Sequence, residues 1–224
     1  MEIRLSNNFL LLLTIVVITG LIAGVIAAIL QSGCPRGRPI ARIVVEIQGL
    51  AQAMETYRAE MGGYPPSDPA DALKHIRQTF PRYAGGMKAT FYSPDEALHF
   101  WLGGPKGNGW SANSQNPFEA GGARIGPFFE FDQERLKGHI YKPRKYNRAP
   151  YVYVRPDEDG NYTGPSGSCH PFPGVNPKSF QIHCPGLDGK FGSGGSLTDS
   201  TGYTKERWDD MGNFCNFTLE DEFR

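Results

Sequence analysis

IARIVVEIQGLAQAMETYRAEM, residues 40–61, has the most regular pattern in the sequence. Its apolar residues recur with the i, i+3, i+4, i+7 spacing that predicts an amphipathic α-helix. These residues are Ile40, Ile43, Val44, Ile47, Leu50, Ala51, Met54, Tyr57 and Met61. Gly62 and Gly63 predict the end of the helix, and Pro65 prevents it from resuming. Such an apolar stripe needs a sheet or another helix to cover it.

A continuous apolar stretch precedes this helix. Residues 9–30, FLLLLTIVVITGLIAGVIAAIL, contain no charged side chain. As an α-helix they would be about 33 Å long, enough to cross a hydrocarbon core of about 30 Å. We therefore predict a transmembrane helix at residues 9–30, after a short leader or tail at residues 1–8. Residues 31–39 contain two Gly and two Pro and predict a linker, and residues 40–224 form the predicted extracytoplasmic domain.

Composition limits what that domain can do. The chain has 23 Lys and Arg against 23 Asp and Glu, so it lacks the basic excess of a nucleic-acid-binding protein. Its 28 Gly and 18 Pro indicate many loops. Its 14 Phe, 10 Tyr and 3 Trp supply enough material for a core. A folded, loop-rich domain follows from this composition.

The remaining segments predict short elements. Short helices are expected within residues 69–79 and 93–102, with Ser93 as N-cap and Glu96 completing a capping box. Residues 103–126 are polar and Gly-rich and predict a loop. Strand composition marks residues 128–131, 151–154 and 180–184, and DEDGN at residues 157–161 predicts a hairpin leading to Tyr162. Helix followed by strands predicts an α+β fold, with one long helix packed on a small antiparallel sheet.

The orientation of the predicted anchor rests on opposing signals. Arg36, Arg38 and Arg42 follow the apolar stretch, and the positive-inside rule would place this side in the cytoplasm. A short tail before the first apolar segment is instead typical of signal peptides and N-terminal anchors. The cysteines of the last quarter suit an oxidising compartment. We predict that the C-terminal domain lies outside the cytoplasm.

Several segments together resemble a known family. They are the helix exit LAQAMETYRAEMGGYPP at residues 50–66, ALHFWLGG at 97–104, GPFFEFDQERL at 126–136, GLDGKFGSGG at 186–195 and DDMGNF at 209–214. With the apolar N-terminal helix, they look like the major pseudopilin (protein G) of type II secretion and related type IV pilin-like proteins. The resemblance implies a single-pass protein of the bacterial inner membrane. It also implies assembly with further copies, or with other pilin-like subunits of the secretion machinery, into a filament.

The sequence departs from the family at the N-terminus. Asn8 precedes Phe9, where the family has a Gly before the Phe that opens the mature protein. Leu13 stands where the family carries a Glu. By resemblance, Asn8 and Phe9 mark the processing site. Asn8 in place of the Gly bears on how the leader is removed, and Leu13 in place of the Glu bears on how the subunits pack.

The Gly-rich C-terminal loop is the predicted metal site. CPGLDGKFGSGG supplies the carboxylate of Asp188 and glycines that let main-chain carbonyls turn inward, and Asp199, Asp209 and Asp210 follow. Calcium takes six to eight such oxygen ligands in flexible geometry. The resemblance places calcium ligands at Asp188 and Asp210, with main-chain carbonyls near Leu187 and Ser193.

The cysteines leave alternatives open. Cys169, Cys184 and Cys215 can form one disulfide bond, can pair with Cys34, or can remain thiols. Cys169-His170 and His183-Cys184 combine the two ligand types of zinc sites, although their spacing matches no zinc motif. Ser32-Gly33-Cys34 also resembles a bacterial lipoprotein cleavage site, with Cys34 as the lipidated residue.

No enzymatic motif is found in the sequence. It has no GxSxG, no HExxH and no Walker A, because Phe191 follows Gly189-Lys190. We predict a structural subunit without an active site. The alternatives are a membrane-anchored or lipidated binding module that does not polymerise, and a tethered hydrolase that would depend on Ser166 or Cys169.

Overall fold

The computed structural model describes residues 37–88, 91–144, 149–162, 166–216 and 218–223. The chain divides into two compact units, Met1–Arg42 and Ile43–Arg224. In the first unit the described residues, 37–42, are helical. The predictions on residues 1–8 and 9–30, on the Asn8–Phe9 processing site and on Cys34 lie outside the described residues. Within the described ranges, no helix combines the length and the apolar character needed to cross a membrane.

Helix α1, Gly37–Met61, confirms the predicted amphipathic helix. It begins three residues earlier than predicted and includes part of the expected linker. Pro39 is tolerated there because the first-turn N–H groups of a helix have no partner within it. At the other end Gly62 has a φ of 85°, and its N–H donates to the carbonyl of Arg58 at 2.9 Å. The predicted stripe is buried at Ile43, Ile47, Leu50, Met54, Tyr57 and Met61.

Three shorter α-helices follow α1. A 3₁₀ turn at Pro69–Asp71 leads into α2, Ala72–Thr79, and α3 spans Pro94–Gly103, both close to the predicted helical segments. The capping box expected at Ser93 is absent, because the Ser93 side chain makes no capping bond and Glu96 accepts the N–H of Tyr92 instead. Helix α4, Leu219–Phe223, ends the described chain.

The strands are short and pair in antiparallel fashion. β1 (Trp110–Ser111) pairs with β2 (Arg124–Ile125), and β3 (Leu136–Lys137) pairs with β4 (Ile140–Tyr141). A three-stranded sheet has the order β5 (Val152–Val154), β6 (Gln181–Cys184) and β7 (Met211–Gly212). Two further 3₁₀ turns lie at Gln133–Arg135 and Lys205–Asp209. The fold is therefore α+β with small antiparallel sheets, as predicted.

Two strand predictions were wrong. Residues 128–131 form no strand, and their rings instead pack on aromatic side chains of α1 and β4. Phe128 contacts Tyr57 at 5.1 Å between ring centroids, and Phe131 contacts Tyr141 at 4.8 Å. Residues 157–161 do turn tightly, with the N–H of Asp157 donating to the carbonyl of Asn161 at 2.9 Å. The strand that pairs with β5 is β6 rather than a segment beginning at Tyr162, so the predicted hairpin does not form.

Trp101 lies at the centre of the core. This fully buried side chain on α3 contacts Tyr57 of α1, His75 of α2 and Trp110 of β1 at 5.1–6.2 Å between ring centroids. Its indole N–H donates to the carbonyl of Pro66 at 2.8 Å, which satisfies its one polar atom. The aromatic residues counted in the sequence therefore hold the three helices together.

Candidate metal-binding loop

The loop between β6 and β7, residues 185–210, contains the predicted calcium ligands. It folds back on itself, with the N–H of Thr204 donating to the carbonyl of Ser193 at 3.0 Å. The two sides approach so closely that glycine is required at one contact. Gly186 has a φ of 63°, and a Cβ there would overlap the carbonyl of Asp209. The start of the loop therefore lies directly against its end.

Asp209 fixes the first turn of the loop. Its Oδ2 accepts the N–H of Leu187 at 2.7 Å and the N–H of Asp188 at 2.9 Å. Burial raises the pKa of Asp209, and the neighbouring Asp188 carboxylate acts in the same direction. Asp209 is one of the acidic residues that follow the Gly-rich segment, and the sequence pattern did not predict this role for it.

Asp210, a predicted ligand, is buried with only 1% of its surface exposed. Its Oδ2 accepts the N–H of Gly192 at 3.1 Å and lies 3.6 Å from Nη1 of Arg207. Among the described residues, its Oδ1 has no hydrogen-bond partner. Burial raises the pKa of Asp210 to about 8. The hydrogen bond from the Gly192 N–H and the charge of Arg207 act to lower this pKa, and the charges of Asp209 and Asp188 act to raise it. Because a buried carboxylate oxygen without a partner is costly, a cation at Oδ1 would stabilise the ionised form.

Arg207 supplies a positive charge inside the loop. Its guanidinium lies 3.8 Å from the ring centroid of Phe172, and Nη1 donates to the carbonyl of His170 at 2.9 Å. The side chain is 1% exposed, and burial lowers its pKa. The sequence did not reveal this residue, because a Lys or Arg three positions before an Asp ordinarily forms a surface pair.

Two other predicted ligands, Asp188 and Ser193, already accept hydrogen bonds from N–H groups within the loop. Asp188 is exposed, and its Oδ1 accepts the N–H of Lys190 at 2.8 Å. The carbonyl of Ser193 already accepts the N–H of Thr204. In the described part of the chain, no three His, Cys, Asp or Glu side chains converge as ligands to a metal ion. A calcium ion here would therefore bind Asp210 Oδ1 and take most of its other oxygens from carbonyls and water.

The described cysteines, Cys169, Cys184 and Cys215, carry thiols, and no disulfide joins them. Burial raises the pKa of Cys169 and Cys184 well above the ordinary value, which disfavours the thiolate that zinc requires. His183, beside Cys184, is 1% exposed and contacts Oε1 of Gln181 through Nε2 at 2.9 Å. Cys169, His183 and Cys184 are therefore buried packing residues, whereas His170 is exposed, and the described residues form no shared ligand set from these two pairs.

Comparison with known proteins gives no match: no protein-family model, no curated protein and no solved structure matches the chain.

Proposed function

We propose that this protein is a structural subunit of a type II secretion pseudopilus or a related type IV pilin-like fibre. Residues 9–30 would hold it in the bacterial inner membrane until assembly, with residues 40–224 outside the cytoplasm. The observation that supports this most is the order of elements: one long amphipathic helix, α1, precedes small antiparallel strands and a Gly-rich C-terminal loop. The resemblance implies the same order of elements for pilin-like proteins.

Glu46 of α1 and the segment that follows α1 contact residues in or next to the strands. Glu46 accepts hydrogen bonds from the hydroxyls of Tyr141 at 2.8 Å and of Tyr151 at 2.6 Å. At the helix exit, the hydroxyl of Tyr153 in β5 donates to the carbonyl of Pro65 at 2.7 Å. Tyr64 also packs on Phe180, at 5.2 Å between ring centroids. The Glu46 hydrogen bonds and the contacts of residues 64 and 65 thus connect α1 and its exit to the strand region.

The apolar segment suits a subunit that changes surroundings. A helix satisfies its own backbone hydrogen bonds, so it can leave lipid for a helical bundle without exposing polar groups. Small residues at one helical spacing would allow close contacts in such a bundle. They are Gly20, Ala23, Gly24, Ala27 and Ala28. Calcium at the C-terminal loop would stabilise the domain by mass action, because only the folded loop assembles the ligands.

Electron microscopy of sheared surface material tests the proposal. The chain is overproduced in its native host, and the fibres are labelled with an antibody against residues 40–224. We expect thin labelled fibres from the wild type. Ala27→Trp should abolish them while the protein stays in the membrane, because a bulky apolar side chain blocks close packing but not insertion.

Val25→Trp is the matched control, because residue 25 lies on the opposite side of a helix from residue 27. Fibres from the control but not from Ala27→Trp would support assembly through the small-residue face. A wild-type protein that stays in the membrane fraction without fibres would contradict the proposal.

The alternative, a membrane-anchored binding module, is favoured by one feature of the surface. A groove of about 540 Å³ lies between residues 66–78 on one side and residues 154–162 and 166–167 on the other. Its lining combines Asp68, Asp71 and Glu158 with Lys74 and Arg155. A groove with charges of both signs could hold a zwitterionic or peptide ligand without any polymerisation.

A further inference from the structure

Two histidines from separate elements meet at the edge of the core. His99 lies on α3, and His139 lies in the turn between β3 and β4. Their Nδ1 atoms are 2.8 Å apart, and their ring centroids are 4.9 Å apart. Forty positions separate the two residues, so the fold rather than the local sequence creates the pair.

The surrounding side chains hold both rings in place. His99 is 6% exposed and packs edge-on against Phe131, at 4.8 Å between ring centroids. A Cβ at Gly103 would lie 3.2 Å from Nε2 of His99, so the absence of a side chain there makes room for the ring. His139 is half-buried and contacts Phe100 at 5.7 Å. The two nitrogens are therefore directed at each other by packing as well as by their hydrogen bond.

The pair has the chemistry of metal ligands. Burial lowers the pKa of His99 to about 4, with the neighbouring His139 contributing, and burial also lowers the pKa of His139. Burial thus favours the neutral imidazole, which is the form that binds metals. Two nitrogens bound to one metal at 2.0–2.1 Å lie about 2.8–3.4 Å apart for bond angles between 90° and tetrahedral. The separation of the two nitrogens already suits one metal ion, which binds when both rings rotate to direct their Nδ1 lone pairs at it and the Nδ1 proton moves to Nε2 of the same ring.

A carboxylate stands close to this pair. Glu96 precedes His99 by three positions on α3, so both side chains lie on the same helix face. The Glu96 charge acts on His139 and raises its pKa against the effect of burial. The Glu96 carboxylate accepts the N–H of Tyr92 at 2.6 Å, in an exposed segment where water can replace it.

We propose that His99, His139 and Glu96 form a binding site for a divalent transition-metal ion, with zinc as the probe ion. The two histidines are already paired, and Glu96 moves from the Tyr92 N–H to the metal on binding. This recruitment is consistent with the finding that no three such side chains converge in the described part of the chain. Imidazole with one carboxylate is a ligand set of zinc and iron(II) sites, with water in the open positions. The site is independent of the proposed fibre function and separate from the C-terminal loop.

Zinc titration of the full chain in detergent micelles tests the site. Calorimetry at neutral pH with excess calcium present should detect one zinc ion per chain. His139→Gln and Glu96→Gln should each weaken this binding by at least about tenfold. His170→Gln is the control, because His170 is an exposed histidine outside the proposed ligand set. It should leave zinc binding within about twofold of the wild type.

Two further measurements test whether the His139 variant is folded and whether a thiolate binds the metal. Because His139 lies in a half-exposed turn, its variant should retain the wild-type circular dichroism spectrum. Cobalt(II) in place of zinc should give a spectrum without a thiolate-to-metal charge-transfer band. The absence of zinc binding to the wild type, unchanged binding to His139→Gln, or a thiolate band would each overturn the proposal.

Discussion

Arg135 and Glu46 face each other through two parallel hydrogen bonds, from Nη1 to Oε1 at 2.6 Å and from Nη2 to Oε2 at 2.8 Å. Their side chains are only 12% and 18% exposed. The hydroxyls of Tyr141 and Tyr151 donate to the same carboxylate. Four donors from the strand region thus converge on one acidic residue of α1, and this network fixes the helix to the domain.

Replacing Glu46 by Ala should destabilise the domain by about 3–5 kcal/mol, because Arg135 would remain buried without its partner. The measurement is the free energy of unfolding from urea denaturation in detergent micelles. Glu158→Ala is the control, because Glu158 is 90% exposed where it pairs with Lys74. That change should cost less than about 1 kcal/mol. Equal losses in the two variants would contradict a structural role for the Glu46 network.

The same carboxylate predicts a dependence of stability on acid pH. Burial acts to raise the pKa of Glu46, but the hydrogen bonds from Arg135, Tyr151 and Tyr141 lower it below its ordinary value of 4.5. A lowered pKa contributes stability that is present above the unfolded-state pKa and is lost as pH falls through the folded-state pKa. The wild type should therefore lose stability below about pH 4.5 more steeply than Glu46→Gln. Parallel pH profiles for the two proteins would argue against this assignment.

The raised pKa of Asp210 predicts that stability falls as pH rises, the opposite of the Glu46 effect. Calcium should reduce this loss of stability. Because burial raises the pKa of Asp210 from 3.8 to about 8, its contribution is fully present below pH 3.8 and is lost as pH rises through about 8. Calcium binds the ionised carboxylate, so it should raise Tm more at about pH 9 than at about pH 5. Asp210→Asn should remove this calcium effect, whereas Asp199→Asn, at an exposed part of the loop, should retain it. A calcium effect that Asp210→Asn leaves intact would place the ion elsewhere.

The close approach at Gly186 predicts a large cost for adding one methyl group. Gly186→Ala should destabilise the domain by about 3 kcal/mol, because the methyl group overlaps Asp209 and displaces the first turn of the loop. Gly174→Ala is the matched control: its φ of 74° is similar, but nothing lies within 4 Å of the added Cβ. It should cost only about 1–2 kcal/mol from backbone strain. Similar thermal unfolding of the two variants would show that the loop tolerates the contact.

The sequence predicts the helices better than the strands, for a physical reason. The period of α1 is set by residues within one segment, so its stripe from Ile43 to Met61 is visible without tertiary information. The first turn of α1 was not predicted, because a Pro was expected to break the helix. A Pro breaks a helix only in its interior, and Pro39 lies in the first turn. Residues 128–131 have strand composition, yet they form no strand, and Phe128 packs on Tyr57 while Phe131 packs on Tyr141. Strand propensity reflects such packing partners, which the sequence does not identify.

The candidate site was predicted only in part. The Gly-rich composition and the carboxylates of Asp188 and Asp210 identified the loop, whereas Arg207 could not be found this way. Its burial depends on Phe172, which lies 35 positions earlier in the chain. Glu46 did leave a signal, because an acidic residue three positions after Ile43 falls close to the buried stripe of α1. Acidic residues at such positions indicate partners elsewhere in the fold.

The most direct test of assembly as a processed pilin-like subunit is the intact mass of the protein extracted from its native membrane. A processed subunit should have the mass of a chain that begins at Phe9, with or without N-methylation, despite Asn8 before the cleavage site and Leu13 after it. A full-length mass, or the mass of a chain that begins at a lipidated Cys34, would contradict fibre assembly and leave a membrane-anchored domain.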